Sequence, residues 1–328
     1  MNSFGRIFRV SIYGESHGPV VGIVVDGVPP GIELSETDFY PDLERRRPGI
    51  NGTTTRVESD EPIIKSGVFK QMTTGAPLCV EFTNSNVRSV DYEQFVSQPR
   101  PGHSDFSAHI KFKSFNDYRG GGHFSGRLTL PIVAAGVIAK KILKGIQIHS
   151  RIIEAGGLED IERAIQLAIE NKDSIGGIVE CKVNNVPIGW GEPFFDSLES
   201  VLAHLMFAIP AVKGIEFGSG FKASKMVGSK HNDPILDQEG HTQTNHAGGI
   251  SGGLSNGNEL VFRISVKPTS STPQKQQTYD FQKSTLSELV VAGRHDLCIA
   301  LRVPVVVEAM TAIGLVDLMF LQSLKALQ

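Results

Sequence analysis

Apolar positions along the chain fall into short runs broken by glycine, proline and charge. Residues 7–13 (IFRVSIY) form the first such run. Residues 20–28 (VVGIVVDGV) form a second, β-branched one that ends at Pro29-Pro30-Gly31, a turn signal, so two early strands are expected around the intervening GESHG of residues 14–18. A short helix is expected over 34–47, with Ser35 or Thr37 as cap and Glu36 and Asp38 in its first turn. It runs into Arg45-Arg46-Arg47-Pro48-Gly49. Strand-like pieces follow at 63–69 and 78–82. Val133, Val137, Ile138 and Lys141 recur at helical spacing and predict a helix over 130–146, with Pro131 in its first turn. An amphipathic helix over 158–170, a strand over 176–186 and a helix over 198–207 that stops before Pro210 complete the middle of the chain. The last run, 305–327, reads as a helix apolar enough to pack in the core or against another subunit.

Helices and strands are thus interspersed without a regular βαβ rhythm, which favours an α+β fold over a doubly wound sheet. No internal repeat and no shift of composition divides the chain, so residues 1–328 are expected to form a single domain. The one biased stretch, 268–279, is rich in Ser, Thr, Gln and Pro and reads at first as a mobile surface loop.

Composition narrows the function. With 328 residues, 40% hydrophobic and 20% charged, the chain can bury a full core. A formal charge of -3 argues against the broad basic surface that sequence-independent nucleic-acid binding needs. The three cysteines, Cys79, Cys181 and Cys298, are far apart and in no CxxC spacing, which supports neither a disulfide framework nor a zinc site. No apolar h-region opens the chain, and no stretch of roughly 18 uncharged apolar residues occurs. A soluble, cytoplasmic protein is the expectation.

Six stretches concentrate glycine with Arg, His, Ser or Asp. They are GESHG (14–18), RRRPG (45–49), PRPGHSD (99–105), DYRGGGHFSGRLT (117–129), TNHAGGISGG (244–253) and GRHD (293–296). Glycine lets backbone N–H groups approach an anion, and arginine forks onto phosphate or carboxylate. Taken singly each stretch is weak, since a triple arginine is more often a solvated helix end and a histidine in a glycine-rich loop more often structural. Together, on an acidic chain, they point to a pocket for a heavily anionic small ligand. No GxxxxGK[ST] or GxGxxG explains it. GESHG has the GxSxG outline of a nucleophile elbow, but Pro19 and a strand follow where the elbow should open a helix. His17, His103, His231, His241 and His246 show no HxxxH or HExxH spacing, so no metal is expected.

The ordered set of motifs resembles the chorismate synthase family. It comprises GESHG, VDGVPPG (25–31), DLERRRPG (42–49), RPGHSD (100–105), DYRGGG (117–122), NHAGGISGG (245–253), KPTSS (267–271) and RHD (294–296), and it spans the chain. The resemblance implies a lyase that converts 5-enolpyruvylshikimate 3-phosphate into chorismate and phosphate by an anti-1,4 elimination, needing reduced FMN without net oxidation. It also implies a layered sandwich of two antiparallel β-sheets around a helical core, and a homotetramer. By the same resemblance His17 is the acid toward the departing phosphate, His103 sits by the flavin N1 and O2 edge, and Asp296 assists proton transfer at flavin N5. Arg46 or Arg47, Arg127 and Arg294 contact anionic groups. Pro210, Ala211, Gly252 and Lys267, Pro268, Thr269, Ser270 and Ser271 line the FMN, which recasts the polar stretch after Val266 as a cofactor clamp, and His123 and Ser125 are further cofactor candidates. Asp105 reads equally well as a turn former and His246 as a plain loop residue, and Asp26 reads as a turn former alone.

The chain departs from the family where many members carry RSSARET after the glycine triplet. Here HFSGRLT stands at 123–129, with Gly52 and Ile132 at two further arginine positions. Either His123 substitutes for a missing arginine, or Arg56 and Arg119 do. The departures keep open a flavin- or anion-binding protein without turnover, beside the weaker serine-hydrolase reading. Nothing marks the source of reduced flavin, an intrinsic NAD(P)H-dependent activity or an external flavin reductase. The absence of long insertions leans to the external one.

Overall fold

The computed structural model describes residues 2–54, 59–85, 92–291, 293 and 295–325. Arg56 and Arg294 lie outside the described residues. The two early strands form as Arg9–Gly14 and Val20–Asp26, an antiparallel hairpin whose loop is the GESHG stretch. Val21, Ile23 and Val25 alternate into a fully buried face, as do Leu78, Val80 and Phe82 on the neighbouring strand Leu78–Thr83. Ser3–Phe4 and Ile63–Ser66 complete this five-stranded antiparallel sheet at its two edges.

A second antiparallel sheet takes the order Val212–Phe217, Leu260–Val266, Gly177–Asn184, Gln147–Ala155. Three of its strands are absent from the sequence reading. The helix expected over 130–146 is Thr129–Ile142; Gly145, in a left-handed turn, follows it, and the chain re-enters as strand Gln147–Ala155. All ten residues from Leu130 to Ala139 are buried, the mark of a helix wrapped on every side by protein.

That helix contacts the first sheet and the C-terminal helix Pro304–Lys325, which contacts the second sheet. The two helices cross at Gly136, where a Cβ would stand 2.3 Å from the Ala309 Cβ, so only glycine permits the approach. By length and composition 304–324 could cross a membrane, but 78% of its most apolar window is buried inside the fold. Its two carboxylates also have structural partners. Asp317 accepts the backbone N–H groups of Arg6, Ile7 and Phe8 at 3.0, 2.8 and 3.0 Å. Glu308, 2% exposed, accepts from Arg45, Lys140 and the Ser150 N–H.

The stretch 268–279 is not a detached surface loop. Ser271 and Thr272 are buried, the Thr272 hydroxyl donates to Asp173 at 2.8 Å, and Gln276–Asp280 pairs with Thr285–Leu289. The three cysteines are free thiols; Cys181 and Cys298 are buried.

Candidate active site

The glycine-rich stretches converge on a cavity of about 430 Å³, within the range of small-molecule sites. Five cations, Arg46, Arg100, Arg127, Lys267 and Arg302, line it against two carboxylates, Asp60 and Asp296.

The last turn of helix Tyr40–Arg46 distributes the triple arginine in three directions. Arg45 pairs with Glu308 at 2.7 Å. Arg46 is 3% exposed and turns inward, donating to the Thr129 hydroxyl at 3.0 Å and pairing with Asp60 at 3.4 Å. Arg47 donates to the Ser59 carbonyl and is not on the cavity wall. A solvated helix end is therefore the wrong reading for Arg46. Asp60, itself buried, also pairs with Arg127, whose Nε donates to Asn84 at 3.1 Å. One buried carboxylate thus holds two guanidinium groups at the cavity.

On another wall the turn 100–105 places His103 between Arg100 and Asp105. Arg100 grips Asp105 through Nε at 2.8 Å and Nη2 at 2.9 Å, and His103 Nδ1 lies 2.6 Å from Asp105 Oδ1. Burial works against the Asp105 charge, but hydrogen bonds from Arg100 and His103 outweigh it and hold the carboxyl well below the usual range. Lys267 reaches the Ser270 hydroxyl at 2.8 Å; burial, with Lys213 nearby, lowers its pKa. Asp296 accepts the Thr54 N–H at 2.9 Å and Arg302 at 3.1 Å.

His17 is buried, at 6% exposure. It lies edge-on to Tyr92, centroids 5.2 Å apart, directly behind Gly120. Gly120 and Tyr92 are both on the cavity wall, and a Cβ on Gly120 would stand 2.4 Å from the His17 ring. Gly120, Gly121 and Gly122 all take positive φ, so the triplet packs its backbone against the His17 ring with no side chain in the way.

A family model described as chorismate synthase matches residues 8–320. The chain belongs to the chorismate synthase family. A chorismate synthase of Chitinophaga pinensis is 60% identical over 98% of this chain and 97% of its own length. One from Dehalococcoides mccartyi is 44% identical over 97% and 96%. In fold, a crystal structure of a chorismate synthase superposes with TM-score 0.73 at 24% identity, covering 97% of this chain and 93% of the other. The chain is an enzyme of this family, the lyase that closes the shikimate route to aromatic amino acids, and the family is generally flavin-dependent.

Of the residues the family resemblance selects, the cavity gathers His103, Asp296, Arg46, Arg127, Ser125, Pro210 and Ala211 together with 267–271. Four selected residues are off the wall, His17 behind Gly120 being one of them. Arg47 is off the wall as described. His123 Nδ1 is 2.7 Å from the Gly14 carbonyl, an anchor for the GESHG hairpin, so it does not stand in for a missing family arginine at the wall. Gly252 sits in the tight turn between Ile250–Ser251 and Leu254–Ser255, away from the wall. Arg119 pairs with Asp117 at 2.8 Å. The basic groups the sequence passes over are Arg100 and Arg302. Arg100 stands in a quoted motif, whereas Arg302 has no local signal.

The competing readings fare differently. Ser16 is 2% exposed and leads into strand Val20–Asp26, so no helix opens after it as an elbow requires. Among the described residues the one group with metal-ligand proximity is Asp237, Glu239 and His241, all exposed, and of the histidines considered it includes His241 alone. His246 bonds the Ser219 hydroxyl at 2.8 Å and stacks on His231, a loop residue off the cavity wall. Asp26 accepts the Gly27 N–H and pairs with Arg9, in keeping with a turn role.

Proposed function

We propose that this cavity is where 5-enolpyruvylshikimate 3-phosphate loses phosphate, beside a bound reduced FMN. The observation that carries the reading is five cations against two carboxylates lining one cavity, in a chain whose net charge is -3. The substrate brings two carboxylates and a phosphate of roughly -1.5 to -2 charge, and FMN brings a second phosphate.

The residues fit the cofactor. Thr269 Oγ1 is buried on the cavity wall without a hydrogen-bond partner, and Lys267, Ser270 and Ser271 adjoin it as donors. A hydroxyl left unsatisfied in the protein alone is one that a polar ligand would satisfy. Lys267, Thr269, Ser270 and Ser271 would hold the flavin, with Pro210 and Ala211 as apolar cover. Bound reduced flavin would lend electron density to an elimination that is redox-neutral overall.

The protein's own part is placement and proton control. Arg46 and Arg127, held by Asp60, take anionic groups of the substrate. His17, one glycine behind the wall, holds a proton for the oxygen of the departing phosphate. Asp296, steadied by Arg302 and the Thr54 N–H, manages the proton leaving C6 near the flavin. His103 faces the flavin ring.

Lys267→Ala is expected to weaken reduced-FMN binding about tenfold or more, the scale of a lost charged hydrogen bond, in an anaerobic titration. Unchanged affinity would move the flavin elsewhere.

The sandwich arrangement and a homotetramer belong to the same proposal. The contacts of helix Thr129–Ile142 with the first sheet and of Pro304–Lys325 with the second support a layered core. Phe115, Phe194, Phe195 and Phe221 are each more than four-fifths exposed, apolar surface suited to association of copies. Sedimentation velocity distinguishes tetramer from monomer.

A further inference from the structure

We propose that Asn84 is a positioning residue that sets the His17 hairpin against Arg127, so that the proton donor and the guanidinium act on one anionic group, the departing phosphate. Its side-chain amide bridges the two. Nδ2 donates to the Glu15 carbonyl at 3.0 Å and to the Gly18 carbonyl at 2.8 Å, on either side of Ser16 and His17, and Oδ1 accepts from Arg127 Nε at 3.1 Å. An amide offers N–H donors at one end and an acceptor at the other, and each contact uses the matching end. The reverse orientation would set oxygen against two carbonyls and N–H against a guanidinium, so the network itself assigns which end faces the hairpin.

The bridge lies at the cavity, since Ser16 and Arg127 both line it. Asn84 follows strand Leu78–Thr83, and its backbone N–H donates to the Pro19 carbonyl at 3.1 Å, which seats it beside the hairpin where the chain enters Val20–Asp26. Arg127 is held from its other end by Asp60, which also pairs with Arg46. The line Arg46–Asp60–Arg127–Asn84 thus runs from the cations assigned to the substrate to the turn that carries His17. The Gly18 N–H closes that turn on the Glu15 carbonyl at 3.0 Å, so the two carbonyls Asn84 grips belong to the residues that shape it. The hairpin has further anchors, the Gly14 carbonyl 2.7 Å from His123 Nδ1 and the Ser16 N–H on the Gly122 carbonyl at 3.1 Å. Those bonds tie it to the glycine triplet; Asn84 ties it to the guanidinium. A residue that only filled space would need neither end of the amide.

The inference rests on the reading of His17 as the acid toward the departing phosphate. The test is a double-mutant cycle: Asn84→Ala and Asn84→Asp, each in the native chain and in His17→Ala, with anaerobic turnover of 5-enolpyruvylshikimate 3-phosphate and a reduced-FMN titration of every variant. In the native chain Asn84→Ala is expected to lower kcat roughly 10–100-fold, the scale of a reacting group displaced by about 1 Å, with flavin affinity unchanged. Asn84→Asp keeps an acceptor for Arg127 but has no donor for the two carbonyls, and is expected to lose at least as much. In the His17→Ala chain neither substitution is expected to change kcat much further, because a residue that acts through His17 has nothing left to place. Native kcat in Asn84→Ala or Asn84→Asp, the same fold loss in both backgrounds, or a loss of flavin affinity in step with kcat would overturn the role. Native turnover of His17→Ala by itself overturns instead the reading of His17 on which the role depends.

Discussion

His17→Ala is expected to lower kcat by about 10²–10⁴-fold, the range for removing a positioned acid, while the dissociation constant for reduced FMN stays unchanged. The expectation follows from where the ring sits. It is buried against Gly120 and edge-on to Tyr92, neither of them a residue assigned to the flavin, so its loss removes no group assigned to the flavin. The hairpin that carries it is held independently, by the Ser16 N–H on the Gly122 carbonyl at 3.1 Å and by Asn84 on the carbonyls of Glu15 and Gly18 at 3.0 and 2.8 Å. Anaerobic single-turnover kinetics beside a flavin titration checks both halves. A variant with native turnover would remove His17 from the chemistry, and a variant that fails to bind flavin would make it a structural residue.

Glu308→Ala is expected to destabilise the fold by about 3–5 kcal/mol, the scale for leaving partners of a buried ion pair uncompensated. Glu308 joins three elements by accepting from Arg45 at 2.7 Å, Lys140 at 3.0 Å and the Ser150 N–H at 3.0 Å. Urea denaturation at neutral pH reads the loss. The same carboxyl predicts a pH dependence. Burial pushes its pKa up, but the Arg45 hydrogen bond and the charges of Lys140 and Arg45 outweigh burial and leave it below its ordinary value of 4.5. A depressed folded-state pKa gives stability that is fully present above the unfolded value and is lost as pH falls through the folded one. Native stability should therefore decline below the ordinary glutamate range, and Glu308→Gln should flatten that part of the curve. An equal acid slope in both proteins would contradict the assignment.

What the sequence makes legible follows from how locally each feature is encoded. Strand Val20–Asp26 is visible because its β-branched run is bounded by turn residues, and helix Leu198–Ala208 because Pro210 stops it. Leu260–Val266 is as legible by alternation, with Leu260, Phe262, Ile264 and Val266 all buried, although a reading guided by glycine-rich loops passes over it. Gln147–Ala155 is a different case. It is an edge strand in which few residues are buried, so its pattern of side chains carries little signal.

The site divides in the same way. His103, Ser125, Asp296 and 267–271 announce themselves by motif and reach the cavity. Asp60 and Arg302 stand in segments without glycine punctuation and arrive only by tertiary approach, Asp60 to Arg46 and Arg127 and Arg302 to Asp296. The departures near Arg127 suggest a less basic pocket than the family norm, yet Arg100 and Arg302 line the wall beside it, so the cavity keeps five cations. Burial of Arg46 could not be read locally either, because the same RRRPG sends Arg45 and Arg47 to other partners.

The measurement that bears most directly on this account is anaerobic turnover: the purified chain, 5-enolpyruvylshikimate 3-phosphate and chemically reduced FMN, with chorismate absorbance and released phosphate followed together. Equal amounts of the two products, and none without flavin, are expected. Tight flavin binding with no product would contradict it, and would make the cavity a flavin- or anion-binding site without turnover.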